Sequence, residues 1–256
     1  MRARRGMIAA LLTAAAFVGC TAVGTDPQVP LSLQFDSLPA LAVVVGDTMR
    51  GADLLPARIP VRAFNGAGGI VSDTQIRLIG IDSGSVSAFS IISGLRLVGK
   101  VLNPAVRLVA QTGSLQSQTQ TFAVVKVPTG IGRFAADSLD SLVFDRPDTA
   151  NRYSDTKVKV FADDSVLNGL QVRFRLINFT TTLLDSVRLI SSSSGRNVSS
   201  AVVTGGAATV RLKVYAKPSA SGAGVVTVEA SSRALGVDVP NSPLQFRVRL
   251  VAFKFP

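Results

Sequence analysis

Five stretches of this chain alternate apolar and polar residues one for one, and no other feature restricts the fold so sharply. Leu244, Phe246, Val248 and Leu250 alternate with Gln245, Arg247 and Arg249. Leu170, Val172, Phe174 and Leu176 alternate with Gln171, Arg173 and Arg175. The same pattern sets Val210, Leu212 and Val214 against Arg211 and Lys213, Val158 and Val160 against Lys157 and Lys159, and Val226 and Val228 against Thr227 and Glu229. A strand sends successive side chains to opposite faces, so a period of two gives one apolar face and one wet face. Parallel strands covered on both sides read as unbroken apolar runs, so these five belong in antiparallel sheets with one solvated face. The composition agrees. Glu229 is the single glutamate beside fifteen aspartates, and lysine is scarce relative to arginine. Abundant Val, Ser, Thr and Gly favour strands and turns over long surface helices.

An earlier series of shorter strands precedes these. Leu31, Leu33 and Phe35 alternate with Ser32 and Gln34, and Ala40 to Val45 is an apolar run closed by Gly46-Asp47. Ile59, Val61 and Ala63 lead to the turn Asn65-Gly66-Ala67-Gly68-Gly69. Ile76 and Leu78, Leu95 and Leu97, Val106 and Leu108, and the segment Thr119 to Val127 complete the series. Many short strands between Gly-rich breaks are the one-dimensional pattern of a β-sandwich. Pro128-Thr129-Gly130-Ile131-Gly132 interrupts the alternation before the second series begins. Gly205-Gly206 reads as a two-residue hairpin turn, because glycine takes positive φ without steric cost. The expected organisation is a leader over 1–19, a tether over 20–30, a sandwich over 31–127, a linker over 128–133 and a second sandwich over 134–256. The fold class is all-β, two tandem immunoglobulin-like antiparallel sandwiches.

Two sets of residues carry a family resemblance. Val44-Val45-Gly46-Asp47-Thr48, the turn Asp82-Ser83-Gly84-Ser85-Val86 and the strand Val106 to Ala110 followed by Gln111-Thr112-Gly113 resemble a bacterial immunoglobulin-like domain of group 2. Val158 to Asp163, Asn168 to Phe174 and Ala208 to Leu212 resemble the group 1, invasin-type relative. The resemblance implies extracellular adhesive, spacer or scaffold roles, and it brings no catalytic residues.

The N-terminus speaks to the compartment. Arg2, Arg4 and Arg5 precede an apolar stretch from Met7 to Val18 that only Thr13 interrupts. This is too short to span a bilayer, which takes about 20 residues, and it reads as a secretory leader. Cys20, the only cysteine, follows Gly19 directly. Phe17-Val18-Gly19-Cys20 resembles the bacterial lipobox, which implies cleavage before Cys20 and a diacylglycerol on its sulfur. The alternative is ordinary cleavage after Ala22. Thr21 after the cysteine implies sorting to an outer membrane. The expected localisation is therefore the cell envelope, with the membrane as a partner through the N-terminal lipid.

Searches for chemistry return little. There is no histidine, so serine and cysteine triads of the common kind are excluded and zinc lacks its usual ligands. No phosphate loop, dinucleotide fingerprint or nucleophile elbow occurs. No catalytic residue, metal or cofactor is expected, and the chain is read as a non-enzyme. Asp163-Asp164 and the group Asp137, Asp140, Asp145 and Asp148 read first as turn residues, with calcium at the joint and paired carboxylates for glycosidic cleavage as the alternatives. Removing the three leader arginines from 27 basic residues leaves 24 against 16 acids, a surplus of eight. No run of like charge marks a nucleic-acid tail, and no nucleic-acid partner is expected. Arg173, Arg175, Arg211, Lys213, Arg247 and Arg249 all occupy polar phases and are expected to face solvent. Arg173, Arg175, Arg247 and Arg249 are expected to share one sheet. These four are the candidate contacts for an anionic envelope polymer such as lipopolysaccharide or another polysaccharide, or for an acidic protein partner. The other reading is a structural, spacer or adhesive role with the charge neutralised locally.

Overall fold

The computed structural model describes residues 26–134, 141–144, 153–177, 187–214 and 224–252. Cys20 and the leader, Asp137, Asp140, Asp145, Asp148 and Tyr215 lie outside the described residues. The first series holds β1 (Ser32–Phe35), β2 (Ala42–Val44), β3 (Val61–Phe64), β4 (Arg77–Gly80), helix α1 (Ser83–Ala88), β5 (Phe89–Ile92), β6 (Arg96–Gly99), β7 (Asn103–Thr112), β8 (Leu115–Gln116) and β9 (Gln120–Val125). The second holds β10 (Gly130–Arg133), β11 (Ser141–Phe144), β12 (Tyr153–Ala162), β13 (Ser165–Val166), β14 (Gln171–Ile177), β15 (Val187–Ile190), β16 (Ser200–Val202), β17 (Ala208–Val214), β18 (Gly224–Ser231), β19 (Arg233–Ala234), β20 (Val237–Asp238) and β21 (Leu244–Ala252). The chain is all-β with predominantly antiparallel sheets, as the alternation requires.

The described residues fall into two compact units. The smaller is drawn from Met1–Asp36, Val61–Arg77 and Ala110–Gln118. In it β1 pairs antiparallel with β3, and Leu33 and Ala63 stand opposite each other and are buried. Asn65 closes the predicted turn by accepting from the amides of Ala67 and Gly69 through its Oδ1. The end of β7 folds back on β8 in the same unit.

The larger unit is drawn from Ser37–Pro60, Leu78–Val109 and Thr119–Pro256. Two five-stranded sheets make its sandwich. One runs β10-β12-β17-β15 with β13 alongside β12, and the other runs β11-β21-β18-β14-β16. Val158, Val160, Val210 and Leu212 from the first sheet and Val172, Phe174, Val228, Val248 and Leu250 from the second belong to one buried cluster. Burying each such side chain contributes about 1.5–3 kcal/mol. A slip of one residue would turn every one of them to water, so the apolar phase determines the register.

A third sheet, β2-β9-β7-β4, comes from the first series. Its residues also obey a period of two. Val43, Phe122 and Val124 are buried on one phase, and Phe122 meets the Phe89 ring edge-on at 5.8 Å. The opposite phase, Ala42 and Val44 with partly buried Ala123 and Val125, packs against the sandwich cluster of the second series. Both series share one topological feature: β2 pairs parallel with β9, and β11 pairs parallel with β21, so an early strand returns beside the last in each.

Two local expectations are corrected. Residues 128–133, read as a linker, contain strand β10, which pairs antiparallel with β12. Gly130 stands opposite Phe161, and a Cβ on it would lie 2.5 Å from the ring, so the glycine lets the aromatic close over the strand. Asp82 to Val86, read as a turn, opens the one-turn helix α1. Asp82 Oδ1 accepts from the Ser85 amide at 2.8 Å and caps it. The Gly205-Gly206 expectation stands: φ values of 59° and 94° close a two-residue turn between Thr204 and Ala207.

Candidate binding face and the buried joint

Arg173 and Arg175 project from β14, and Arg247 and Arg249 from β21. Both strands flank β18 in one sheet. All four side chains are exposed. The register across β18 determines their order. Arg173 stands opposite Ser231 and Arg175 opposite Glu229. Arg247 stands opposite Thr227 and Arg249 opposite Val225. The face that sequence alternation assigns to solvent therefore carries all four guanidinium groups, one step lower on β18 each time.

Glu229 decides the electrostatics of this face. Its side chain retains 6% exposure although it lies on the wet phase, and it is ion-paired to Arg175 Nε. Arg173, Arg247 and Arg249 have no ion-pair partner among the described residues. Local neutralisation thus accounts for Arg175 alone. Beside Arg173 and Arg175, a cleft of about 460 Å³ opens between Asp53, Leu54 and Leu55 and the residues Glu229, Ser231, Arg233, Asp238 and Pro243. The acids there are occupied locally: Asp238 lies 3.2 Å from Arg233 Nε, and Asp53 accepts from the Leu55 amide.

All six cations lie on the non-core phase of their strands, and two of them are partly covered there. Arg211 and Lys213 are half-buried on β17, in the other sheet. Arg211 donates from Nε and Nη2 to the two oxygens of Asp155 at 2.7 and 3.1 Å and stacks on the Tyr153 ring at 4.0 Å. The paired carboxylate raises its already high pKa. β12 places Asp155 directly opposite Arg211, a cross-strand partnership that alternation alone does not disclose. Asp163-Asp164 forms the tight turn of the β12–β13 hairpin, with Asp163 at a φ of 54° and 3.4 Å from Lys126 Nζ. Among the described residues no three His, Cys, Asp or Glu side chains gather as metal ligands.

Sequence reading passed over a second constellation, in which residues 39–50 meet the second series. Asp47 and Arg50 are both buried and form a fork: Arg50 Nε and Nη2 donate to the two Asp47 oxygens at 2.8 and 2.9 Å. Arg50 also donates to the Leu54 carbonyl. Asp47 Oδ2 accepts in addition from the Leu235 amide at 2.8 Å, at the tip of the β19–β20 hairpin. Nearby, the Gly169 carbonyl accepts from the amides of both Leu41 and Ala42 at 3.0 Å. Gly169 has a φ of 88°, and a Cβ there would lie 2.7 Å from the Leu41 backbone, so only glycine permits the approach. Gln171 Nε2 donates to the Pro39 carbonyl at 2.6 Å. The available sequence signal was Asp47 itself, an acid at the end of an apolar run and three residues from an arginine.

Fold and site together define a β-sandwich chain whose polar chemistry lies in ion pairs, a basic sheet face and a buried joint. No helix of the described residues is long and apolar enough to cross a membrane. No protein-family model matches the chain, and no curated protein matches it. Among solved structures, domains 4–9 of the surface layer protein SbsC align with 88% of this chain and 32% of their own, at 12% identity and a TM-score of 0.31. The Yersinia pseudotuberculosis adhesin InvE aligns over 86% of this chain and 58% of its own, at 10% identity and a TM-score of 0.35. The D00-D0 domain of intimin aligns over 87% and 99%, at 13% identity and a TM-score of 0.28.

Proposed function

We propose that this protein is a membrane-anchored, extracytoplasmic immunoglobulin-like chain with a structural, spacer or adhesive role, held by a lipid on Cys20 and without catalysis of its own. The buried joint is the observation that carries the reading. An apolar phase of the β2–β9 sheet is packed into the sandwich of the second series, and the Asp47 carboxylate ties the two series with a buried, charge-assisted hydrogen bond. A flexible connection between β-modules needs neither. A spacer or scaffold needs rigid contacts between successive sheets, and this joint supports that within the larger unit. The chain has no histidine, and its acids are engaged in turns, caps and ion pairs wherever they are described.

Two measurements test it. Mass spectrometry of the mature N-terminus is expected to find a diacylglycerol-modified Cys20, and Cys20→Ala is expected to move the protein out of the membrane fraction. A start at Val23 with unchanged partitioning would remove the anchor from the proposal. Spin labels at Ser87 and Ser165 in the Cys20→Ala background are expected to give a narrow distance distribution that broadens in Asp47→Ala. A broad distribution in the parent protein would defeat the spacer reading.

A further inference from the structure

We infer that the outer face of β14, β18 and β21 is a docking stripe for a linear polysaccharide bearing carboxylates, laid diagonally across the sheet. The inference does not rest on the spacer reading. Its basis is the register. Arg173 and Arg175 occupy the first two rows on β14, and Arg247 and Arg249 the next two on β21. Rows on one face are about 6.8 Å apart, and the step from β14 across β18 to β21 is about 9.6 Å. The four arginine positions therefore descend in a stepped path about 22 Å from end to end, in which no two share a row.

That arrangement selects among anions. The set of four is too extended to converge on one phosphate or one carboxylate. A chain carrying a charge on each sugar, or on each disaccharide, meets them in succession. Each guanidinium fork matches a carboxylate with two parallel hydrogen bonds. Gln245, exposed beside the arginines on the same face, is a polar group suited to sugar hydroxyls. An acidic protein is a poorer match, because this face lacks the buried aromatic or apolar anchor that concentrates binding energy in protein interfaces. A nucleic acid is also a poorer match, since no aromatic on β14, β18 or β21 shares the stripe to stack a base. The cluster of like charge is itself the argument for an occupant. Of the four, only Arg175 has a described carboxylate partner, which leaves three exposed guanidinium groups able to pair with an anion.

Glu229 makes Arg175 a positioning residue. Removing Arg175 would leave a buried carboxylate without its partner, so the decisive variant spares it. The experiment uses the mature lipoprotein in neutral detergent and fluorescent polygalacturonate, read by anisotropy at low and moderate salt. Three proteins are compared: the parent, the triple variant Arg173→Gln, Arg247→Gln, Arg249→Gln, and a charge-matched control with Arg58→Gln, Arg77→Gln and Arg96→Gln. The expected result is binding that weakens with salt, is lost about tenfold or more in the stripe variant and changes less than about twofold in the control. Monomeric galacturonate is expected not to compete. Equal losses in the two triple variants would mean net charge alone and overturn the stripe. So would undetectable binding by the parent. Single-stranded oligothymidylate bound as tightly as polygalacturonate and lost equally in the stripe variant would overturn the assignment to sugar, and an acidic protein captured in its place would do the same. None of these outcomes touches the label distances that test the joint.

Discussion

The larger unit uses arginine in two opposite ways. At the joint, Arg50 is buried with Asp47, and every oxygen of that carboxylate is engaged by the guanidinium or by the amides of Thr48 and Leu235. On the outer sheet face, Arg173, Arg247 and Arg249 are exposed and have no ion-pair partner among the described residues. The first arrangement is expensive to desolvate and is tolerable only because the geometry is complete. The second costs the fold almost nothing and leaves its charge available to a partner. The difference shows that, among arginines of one chain, exposure and the presence of a carboxylate separate a charge that ties the fold together from one left on the surface.

Asp47→Ala strikes the comparison hardest. It leaves the Arg50 charge buried and the Leu235 amide without its acceptor, and the expected loss is about 3–5 kcal/mol in chemical denaturation. A loss below about 1 kcal/mol would mean that Arg50 reaches water and that the joint is not a closed pair. Arg175→Gln comes next, because Glu229 is buried even though Arg175 is not. The expected cost is about 2 kcal/mol, largely recovered in the double variant with Glu229→Gln.

Arg211→Gln is intermediate. Its pair with Asp155 is about a quarter exposed on both sides, and it also stacks on Tyr153. A cost of about 1 kcal/mol is expected, with part of the effect shared by Tyr153→Leu in a double-mutant cycle. The stripe variant with Arg173, Arg247 and Arg249 all changed to Gln is expected to alter stability by less than about 0.5 kcal/mol per site while weakening polygalacturonate binding. A large destabilisation would place those arginines with Arg50 and erase the contrast.

Asp82 tests the exposed limit by pH. The Ser85 amide, and after it Arg107, hold its carboxyl below the usual aspartate value. A lowered folded pKa means that its contribution is present above the unfolded pKa and fades as pH falls through the folded one. The carboxyl resonance of Asp82 is expected to titrate below the ordinary aspartate value, and the Ser85 amide shift is expected to follow the same midpoint.

What alternation could show, it showed fully. Val172 and Phe174 against Arg173 and Arg175, and Phe246 and Val248 against Arg247 and Arg249, declare a strand and its two faces, because a period of two is a local property of the backbone. The fold class and the outward phase of the four arginines follow from that. Other features required distant residues to meet. Gly130 reads as a breaker until Phe161 is known to lie over it. Arg211 reads as exposed until β12 brings Asp155 and Tyr153 beside it. Arg175 looks like its neighbours until Glu229, 54 residues later, is placed opposite. The joint is the extreme case, since Asp47 meets Leu235 across 188 residues. By itself the sequence determined the long alternating strands and which face of each is apolar, through local sterics and hydrophobic phase. The tertiary structure alone decided which charges are neutralised, because an ion pair depends on strand order and register, and those are set by how the apolar faces close on one another.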